Sequence, residues 1–234
     1  MKLSIIIPVF NEEKTIFEII KKVKKVELPD NISKEIIVVN DASIDKTAEI
    51  LKGVRNIEVI SHKRNLGKGA AIKTGLKKAT GDLILVQDAD LEYNPEDYSR
   101  LIRPIRESNA DVVYGSRLKS FPLRISGKRK TPLITHYLGN KFLSLVTRIV
   151  YGTDLSDMET CYKVFRKSII KSIKLRANRF DFEPEITAKI LKKGYKIYEV
   201  PIKVKPRGYD EGKKITWKDG FIAVWTLLKY RFID

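Results

Sequence analysis

Asp88 and Asp90 are separated by a single residue, and Glu92 follows two positions on. Two ionised carboxylates a few ångströms apart repel by about 4 kcal/mol at an effective dielectric of roughly 20. A divalent cation removes that cost and can bridge to the oxygens of a diphosphate. Mg2+ or Mn2+ suits this task, because each prefers oxygen ligands and keeps positions open for phosphate oxygens. Two more polar clusters each follow an apolar run: Pro8-Val9-Phe10-Asn11-Glu12-Glu13 and Asn40-Asp41-Ala42-Ser43. Any one of the three is ordinary at a helix start, where acids and amides cap exposed N–H groups. Together they build one acidic pocket. They do so in a chain whose 46 Lys and Arg against 29 Asp and Glu give a formal charge of +17.

Such clusters need a frame that brings strand ends together. Residues 1–115 alternate strand-like and helix-like pieces, the pattern of a parallel sheet with helices on both faces. Leu3–Val9, Glu35–Asn40, Asn56–Ser61, Asp82–Gln87 and Val112–Tyr114 read as strands. Lys14–Val26 and Gly67–Ala79 carry apolar residues at helical spacing. Ser43 or Asp45 caps a short helix through Leu51, and Asn94-Pro95 opens another. In such a sheet, ligands gather beyond the carboxyl ends of the strands, where all three clusters fall. The periodicity then changes. Phe121–Val150 reads as amphipathic helical material, and Tyr162–Phe165 and Ile197–Val204 read as strands. Phe182–Lys193 is a helix, Lys205–Lys214 a loop rich in glycine and charge, and Thr216–Tyr230 a terminal amphipathic helix. The expected fold class is α/β with a mostly parallel central sheet.

Composition narrows the field. Hydrophobic residues make up 43% of the chain, enough for a core that needs no staple. Cys161 is the only cysteine, which excludes an intramolecular disulfide, and with two histidines a structural zinc site is nearly excluded. No apolar run approaches the roughly 20 residues of a membrane span. Met1-Lys2-Leu3 runs straight into a strand without a secretory leader, which suggests a reducing compartment. The positive charge favours an anionic partner: nucleic acid, an anionic membrane surface or a phosphorylated substrate. Part of it is local. Lys119, Arg124, Lys128, Arg129, Lys130 and Lys141 follow Arg117 with no acid among them, and the stretch from Lys203 to Lys218 is also basic. A solvated lysine-rich surface accounts for many of the other lysines. A nucleic-acid-binding module would use the same charge, but it leaves the acidic pocket unexplained and shows no recognised motif. Gly67-Lys68-Gly69-Ala70-Ala71-Ile72 imitates a dinucleotide fingerprint, yet Ile72 stands where the third glycine belongs. A Gly-x-Ser-x-Gly turn is missing, and His62 and His136 read as surface histidines.

In order along the chain, several motifs resemble those of family 2 glycosyltransferases of the GT-A fold. They are Pro-Val-Phe-Asn-Glu-Glu, Asn-Asp-Ala-Ser, Arg64-Asn65-Leu66-Gly67-Lys68-Gly69, Asp88-Ala89-Asp90 and Tyr114-Gly115-Ser116-Arg117. Within that family the chain is most similar to polyprenyl-phosphate (dolichol-phosphate) hexosyltransferases of the dolichol-phosphate mannose synthase type. The likeness continues through Asp157-Met158-Glu159-Thr160-Cys161-Tyr162, Arg179–Glu185 and Glu199-Val200-Pro201-Ile202. It implies one GT-A catalytic domain over residues 1–234. Residues 1–115 would be the nucleotide-sugar half, and residues 116–234 the acceptor half. Pro8, Val9, Asn11, Glu12 and Asp41 would hold the nucleoside, with Lys68 near its ribose or phosphates. Asp88, Ala89 and Asp90 would meet the donor diphosphate, and Asp88, Asp90 and Glu92 would bind Mg2+ or Mn2+. Asp90 and Arg117 carry the catalytic expectation. Arg117, Arg129, Arg207 and Lys213 would hold an acceptor phosphate. Three departures stand out. Asn40 replaces a frequent aspartate, Glu92 a frequent glutamine, and Cys161 a frequent glycine.

The acceptor decides the proton chemistry. A phosphate monoester is already anionic and attacks without a base, whereas a sugar hydroxyl needs one. The implied reaction is therefore a metal-dependent, inverting transfer of a hexose from a GDP-mannose or UDP-glucose type donor to a polyprenyl or dolichyl phosphate. The expected setting is peripheral, at an anionic membrane surface on the cytoplasmic inner face of the cell membrane. It leaves room for a separate membrane-spanning partner and assigns no role to nucleic acid. The alternative within the family is transfer to a saccharide hydroxyl, with Asp157 or Glu159 as base.

Overall fold

Runs of Ile, Val and Leu form the strands, as β-branched side chains pack well on a pleated surface. The structure is a computed structural model that describes residues 1–119, 134–205 and 217–233. Among the described residues seven strands are present: β1 Lys2–Val9, β2 Ser33–Asn40, β3 Glu58–Ser61, β4 Leu83–Val86, β5 Val112–Ser116, β6 Lys163–Arg166 and β7 Ile197–Pro201. They make one sheet in the order β3-β2-β1-β4-β6-β5-β7. β1 runs parallel to β2 and β4, β2 to β3, and β5 to β7. Only β6 is reversed, antiparallel to β4 and β5. That reversal matters for function. The residues leading into β6 arrive beside the carboxyl ends of β4 and β5, where a parallel strand would have delivered the residues following it.

Successive strand residues face opposite sides of a sheet. Leu3 to Val9 and every residue of β4 and β5 are buried, so both faces of the sheet centre are covered. The covering helices are α1 Ile16–Lys25, α2 Thr47–Lys52, α3 Lys68–Lys78, α4 Tyr98–Glu107, α5 Ile134–Tyr151, α6 Lys167–Lys171, α7 Phe182–Lys192 and α8 Trp217–Phe232. α1 buries Ile16, Ile19, Ile20 and Val23, the face its spacing predicts. α3 lies on β1 and β2, while α8 packs on α5 and α7.

Several boundaries differ from the sequence reading. The Asn94-Pro95 start is a 3-10 turn over Pro95–Asp97, held by the Asn94 side chain accepting from the Glu96 N–H. α4 follows it. Asp45, not Ser43, holds the first turn of α2 by accepting from the Thr47 N–H at 3.0 Å. The Ser43 hydroxyl instead accepts from the Asn11 N–H. β7 stops at Pro201, and Val204 makes only an isolated bridge to Tyr93. α6 was not anticipated; its five residues are too few for a periodic signal. Residues 121–133 of the expected amphipathic segment, and with them Arg129, lie outside the described residues, as do Arg207 and Lys213. Among the described residues, no helix is long and apolar enough to cross a membrane.

Candidate functional site

The first two clusters are stitched to each other. Beyond β1 the chain turns through Asn11, whose φ of 53° is left-handed. Its side-chain oxygen accepts from the Ile44 N–H at 2.9 Å, and the Glu12 N–H donates to the Thr47 hydroxyl. Pro8 and Val9 pair with Val39 and Asn40, so the ends of β1 and β2 lie level. Asp41 is buried, and its carboxylate is fully engaged. Oδ1 lies 2.7 Å from His62 Nδ1 and accepts from the Leu66 N–H, and Oδ2 accepts from the Gly67 N–H at 2.7 Å. The other ring nitrogen of His62 reaches the Thr74 hydroxyl at 2.9 Å. His62 is therefore no surface histidine; its side chain is 9% exposed. Asp41 acts in this arrangement as the anchor of the loop that opens α3.

That loop delivers Lys68. Gly67 has a φ of +99°, which suits glycine. At Gly69 a Cβ would lie 2.8 Å from the Ala177 carbonyl, so the start of α3 can sit against residues 177–179 only without a side chain. Lys68 Nζ then stands 2.7 Å from Asp88 Oδ1 and 3.5 Å from Glu183 Oε1. Burial alone would raise the Asp88 pKa, but the Lys68 charge and hydrogen bond overcome it and hold the carboxyl below its ordinary value. Burial likewise opposes the Lys68 charge, and Asp88 more than offsets it. Burial and the neighbouring Asp88 push the Cys161 thiol up, so it stays protonated, and it donates to the Val86 carbonyl at 3.8 Å. The backbone under Asp88 is fixed by Gln87. Its amide donates to the Asp88 carbonyl, and its oxygen accepts from Tyr98 and Tyr162 at 2.7 and 2.8 Å. Asp90 Oδ1 accepts from the Glu92 N–H at 3.0 Å.

No three His, Cys, Asp or Glu side chains form a ready metal cage among the described residues. An ionised Asp88 with Asp90 two residues on still fits a hard cation. Such an ion takes one or two carboxylates and completes its shell with water and phosphate oxygens.

The other side of the site is built from β5, β7 and the segment before β6. Arg117 follows β5, and its guanidinium pairs with Asp157 through two bonds, Nε to Oδ2 at 2.8 Å and Nη2 to Oδ1 at 2.7 Å. The Arg117 N–H donates to the same carboxylate. A bidentate pair of this kind fixes the plane of the guanidinium as well as its position. Asp157 is in turn placed by Glu199 of β7. One Glu199 oxygen accepts from the Ser156 and Asp157 N–H groups, and the other accepts from the Ser156 hydroxyl. Lys119 Nζ lies 3.1 Å from Glu199. Tyr93 sits within electrostatic range of Arg117, Cys161, Asp157 and Asp88, and its hydroxyl accepts from the Cys161 N–H at 3.1 Å. Beneath them, Lys163 is buried against Glu183 and the Thr160 carbonyl. Burial and the nearby Glu183 raise the Glu159 carboxyl to about 7.

The structure thus gathers Lys68, Asp88, Ala89 and Asp90 at the end of β4, with Arg117 at the end of β5. It places Pro8, Val9, Asn11, Glu12 and Asp41 at the ends of β1 and β2. Sequence reasoning set His62 aside and gave Gln87, Lys163, Glu183 and Glu199 no individual role in this frame. A single glutamine at a strand end was a usable signal.

An α/β sheet with its acids at the carboxyl ends of parallel strands and a cationic group facing them defines a class: proteins that bind an anionic nucleotide at the sheet edge. Residues 4–174 match the glycosyl transferase family 2 model. This chain belongs to that family and is a glycosyltransferase, as the motifs implied. It is 31% identical over 245 residues to UDP-N-acetylglucosamine–dolichyl-phosphate N-acetylglucosaminyltransferase of Methanococcus voltae, covering 96% of this chain and 94% of that one. Dolichyl-phosphate beta-glucosyltransferase ALG5A of Trichomonas vaginalis is 30% identical over 221 residues, covering 86% of this chain and 64% of its own. In fold the chain is similar to glucosyl-3-phosphoglycerate synthase of Mycobacterium tuberculosis. The complex of that enzyme with UDP matches with a TM-score of 0.74 at 19% identity, over 100% of this chain and 81% of that one. Its complex with Mn2+, UDP and glucosyl-3-phosphoglycerate matches at 0.69 and 20% identity, over 98% of this chain and 79% of that one. The expected GT-A fold is borne out.

Proposed function

We propose that this chain transfers a hexose from a nucleoside-diphosphate sugar to a polyprenyl phosphate, with inversion, at a membrane surface. The observation that carries the reading is the facing of two charged groups across β6: Asp88, paired with Lys68 beyond β4, and Arg117, pre-oriented by Asp157 beyond β5. Asp88 and Asp90 would hold Mg2+ or Mn2+, which when bound supplies positive charge to the leaving diphosphate. Lys68 neutralises Asp88 until the donor arrives and then offers its ammonium to phosphate oxygens. Asp41, by fixing Leu66 and Gly67, sets where Lys68 stands. Arg117 binds the acceptor phosphate and holds it against an anionic donor. A phosphate nucleophile needs no base, and Asp157, wholly buried and committed to Arg117, is not placed to act as one. The names of the relatives, which act on dolichyl phosphate, support this acceptor.

Two apolar stripes support the membrane setting. α5 exposes Leu138, Phe142, Leu145 and Ile149 at helical spacing, and α8 exposes Ile222, Trp225, Leu228 and Phe232. The helices are tied by the Tyr151 hydroxyl donating to the Leu227 carbonyl and by Arg231 donating to the Val150 carbonyl. Lys141, Arg148 and Lys229 lie along the same two helices. Apolar side chains in the headgroup layer, with basic neighbours worth about 1 kcal/mol each at an anionic surface, hold a protein there without a span. The setting would be the cytoplasmic face.

The second reading, a saccharide hydroxyl acceptor, has Glu159 in its favour. Of the two candidate bases Asp157 is taken by Arg117, which leaves Glu159, its carboxyl raised to about 7. Radiolabelled transfer from GDP-mannose, UDP-glucose and UDP-N-acetylglucosamine separates the two. Label passing to a short polyprenyl phosphate, and lost in Arg117→Ala, is the expected result. Transfer to a saccharide hydroxyl that survives Arg117→Ala overturns the phosphate reading.

A further inference from the structure

Glu185 stands in the first turn of α7, where an acid ordinarily serves its own helix, yet its bonds go elsewhere. The side chain is wholly buried. Its oxygens accept from the Arg176 N–H at 2.8 Å and the Ala177 N–H at 2.6 Å, in the segment between α6 and α7. Lys189, one turn further along α7, donates to Glu185 at 2.7 Å and to the Lys174 carbonyl at 2.5 Å. The Tyr230 ring of α8 lies 4.3 Å from the same ammonium. A buried ion pair of this kind adds little stability over a well-packed apolar pair of similar volume. What an apolar pair cannot do is hold two backbone N–H groups at fixed points.

The segment so held is the wall against which Lys68 is placed. The Asn178 carbonyl accepts from the Ala70 N–H at 3.0 Å, and a Cβ at Gly67 or Gly69 would strike the Asn178 or the Ala177 carbonyl. Lys73 of α3 adds an outer tether, donating to the Arg176 carbonyl at 2.9 Å and to Asn178 Oδ1 at 2.7 Å. Asp41 holds Leu66 and Gly67 from the other side. Lys68 therefore stands between two anchors, and only the Asp41 anchor belongs to a strand-end cluster. We infer that Glu185, paired with Lys189, is a positioning residue for the donor. Through residues 176–178 it fixes the first turn of α3, and so the reach of Lys68 to Asp88 and to the diphosphate. The inference rests on the transferase reading above, in which Lys68 offers its ammonium to donor phosphates. A residue that only stabilised the fold would lower the melt without acting through Lys68.

Titration calorimetry of the full chain with Mn2+ and UDP or GDP tests this role. Glu185→Gln and Lys73→Met are each made alone and on Lys68→Ala. Glu185→Gln keeps the shape of the side chain but leaves Lys189 without its counter-ion. Lys73→Met cuts the outer tether and leaves the buried pair intact. Glu185→Gln should weaken the nucleotide about 10-fold and Lys73→Met about 3-fold, within the range of coupling between residues of one network. On Lys68→Ala neither should weaken it further, since the lysine they position is gone. Where Glu185→Gln does not fold, Lys73→Met decides by the same comparison. Unchanged affinity in the folded variants overturns the inference, and so does an equal loss with and without Lys68. If no nucleoside diphosphate binds the unaltered chain, the transferase reading itself fails and takes this one with it.

Discussion

Replacing Asp157 by asparagine keeps the shape of the side chain and removes its charge. Asp157 accepts three N–H groups of Arg117, at 2.8, 2.8 and 2.7 Å, and its own side chain is 0% exposed. An amide turned toward the guanidinium must point its NH2 at one N–H donor. Removing one partner of a buried pair costs about 3–5 kcal/mol. Arg117 keeps 20% of its side chain in solvent, which sets the expected loss at the low end, about 3 kcal/mol. For a chain of this length that corresponds to a fall in melting temperature of roughly 6–12 °C. The assay is a thermal melt paired with steady-state kinetics in which donor and acceptor are varied separately. The KM for polyprenyl phosphate should rise at least 10-fold, about 1.4 kcal/mol, while the KM for the sugar nucleotide stays within twofold, since Lys68 and Asp88 are untouched. Glu199→Gln should show the same acceptor-specific pattern in weaker form, because it acts on Arg117 only through Asp157. A variant that melts with the unaltered protein and keeps its acceptor KM refutes the argument that this pair orients the phosphate site.

Glu159 titrates at about 7, raised from 4.5 by burial and by Glu183, with Lys163 and Arg117 opposing and Asp157 adding to the rise. The folded state therefore holds a proton that the unfolded state releases between those values. Stability falls as pH rises from 4.5 to 7 and is flat beyond, by about 1–2 kcal/mol once solvent screening is allowed for. Glu159→Gln should flatten that slope in denaturant titrations, and an unchanged slope assigns it to other groups. Gly69→Ala sets a Cβ 2.8 Å from the Ala177 carbonyl and 3.0 Å from the Arg179 carbonyl. Overpacking against backbone costs about 1–3 kcal/mol, so the melt should drop and nucleotide affinity weaken as Lys68 is displaced. A fully stable variant would show that α3 can retreat. Phe142→Ser with Trp225→Ser removes side chains that are 57% and 67% exposed. Losing about 3 kcal/mol of apolar burial should cut sedimentation with anionic vesicles about 100-fold without changing the melt. Equal sedimentation would place the lipid contact elsewhere.

The parallel half of the sheet was legible because each strand is a short Ile, Val or Leu run ending in polar residues. Asp88, Asp90 and Lys68 were legible for the same reason: they stand at strand ends or helix starts that the local pattern fixes. The direction of β6 was not, because a four-residue apolar run carries no mark of parallel or antiparallel pairing. That reversal is what brings Asp157, Glu159, Thr160 and Cys161 to the site. Glu183 and Glu185 stood in a stretch that carried the family resemblance without a role of their own, and only the fold puts Glu183 on Lys68 and Lys163. His62 looked solitary because Asp41 and Thr74 are distant in sequence. What the sequence did not reveal at Asp41 is that its oxygens also hold His62, Leu66 and Gly67.

The central claim is that Asp88 and Asp90 bind a divalent cation that in turn binds a donor's diphosphate. Anomalous scattering from a crystal grown with MnCl2 and a nucleoside diphosphate tests it most directly. The account predicts one manganese peak, with oxygens of both aspartates and of the diphosphate around it and Lys68 moved off Asp88. Nucleotide bound elsewhere, or bound with Asp88 still on Lys68 and no metal peak beside it, contradicts the account.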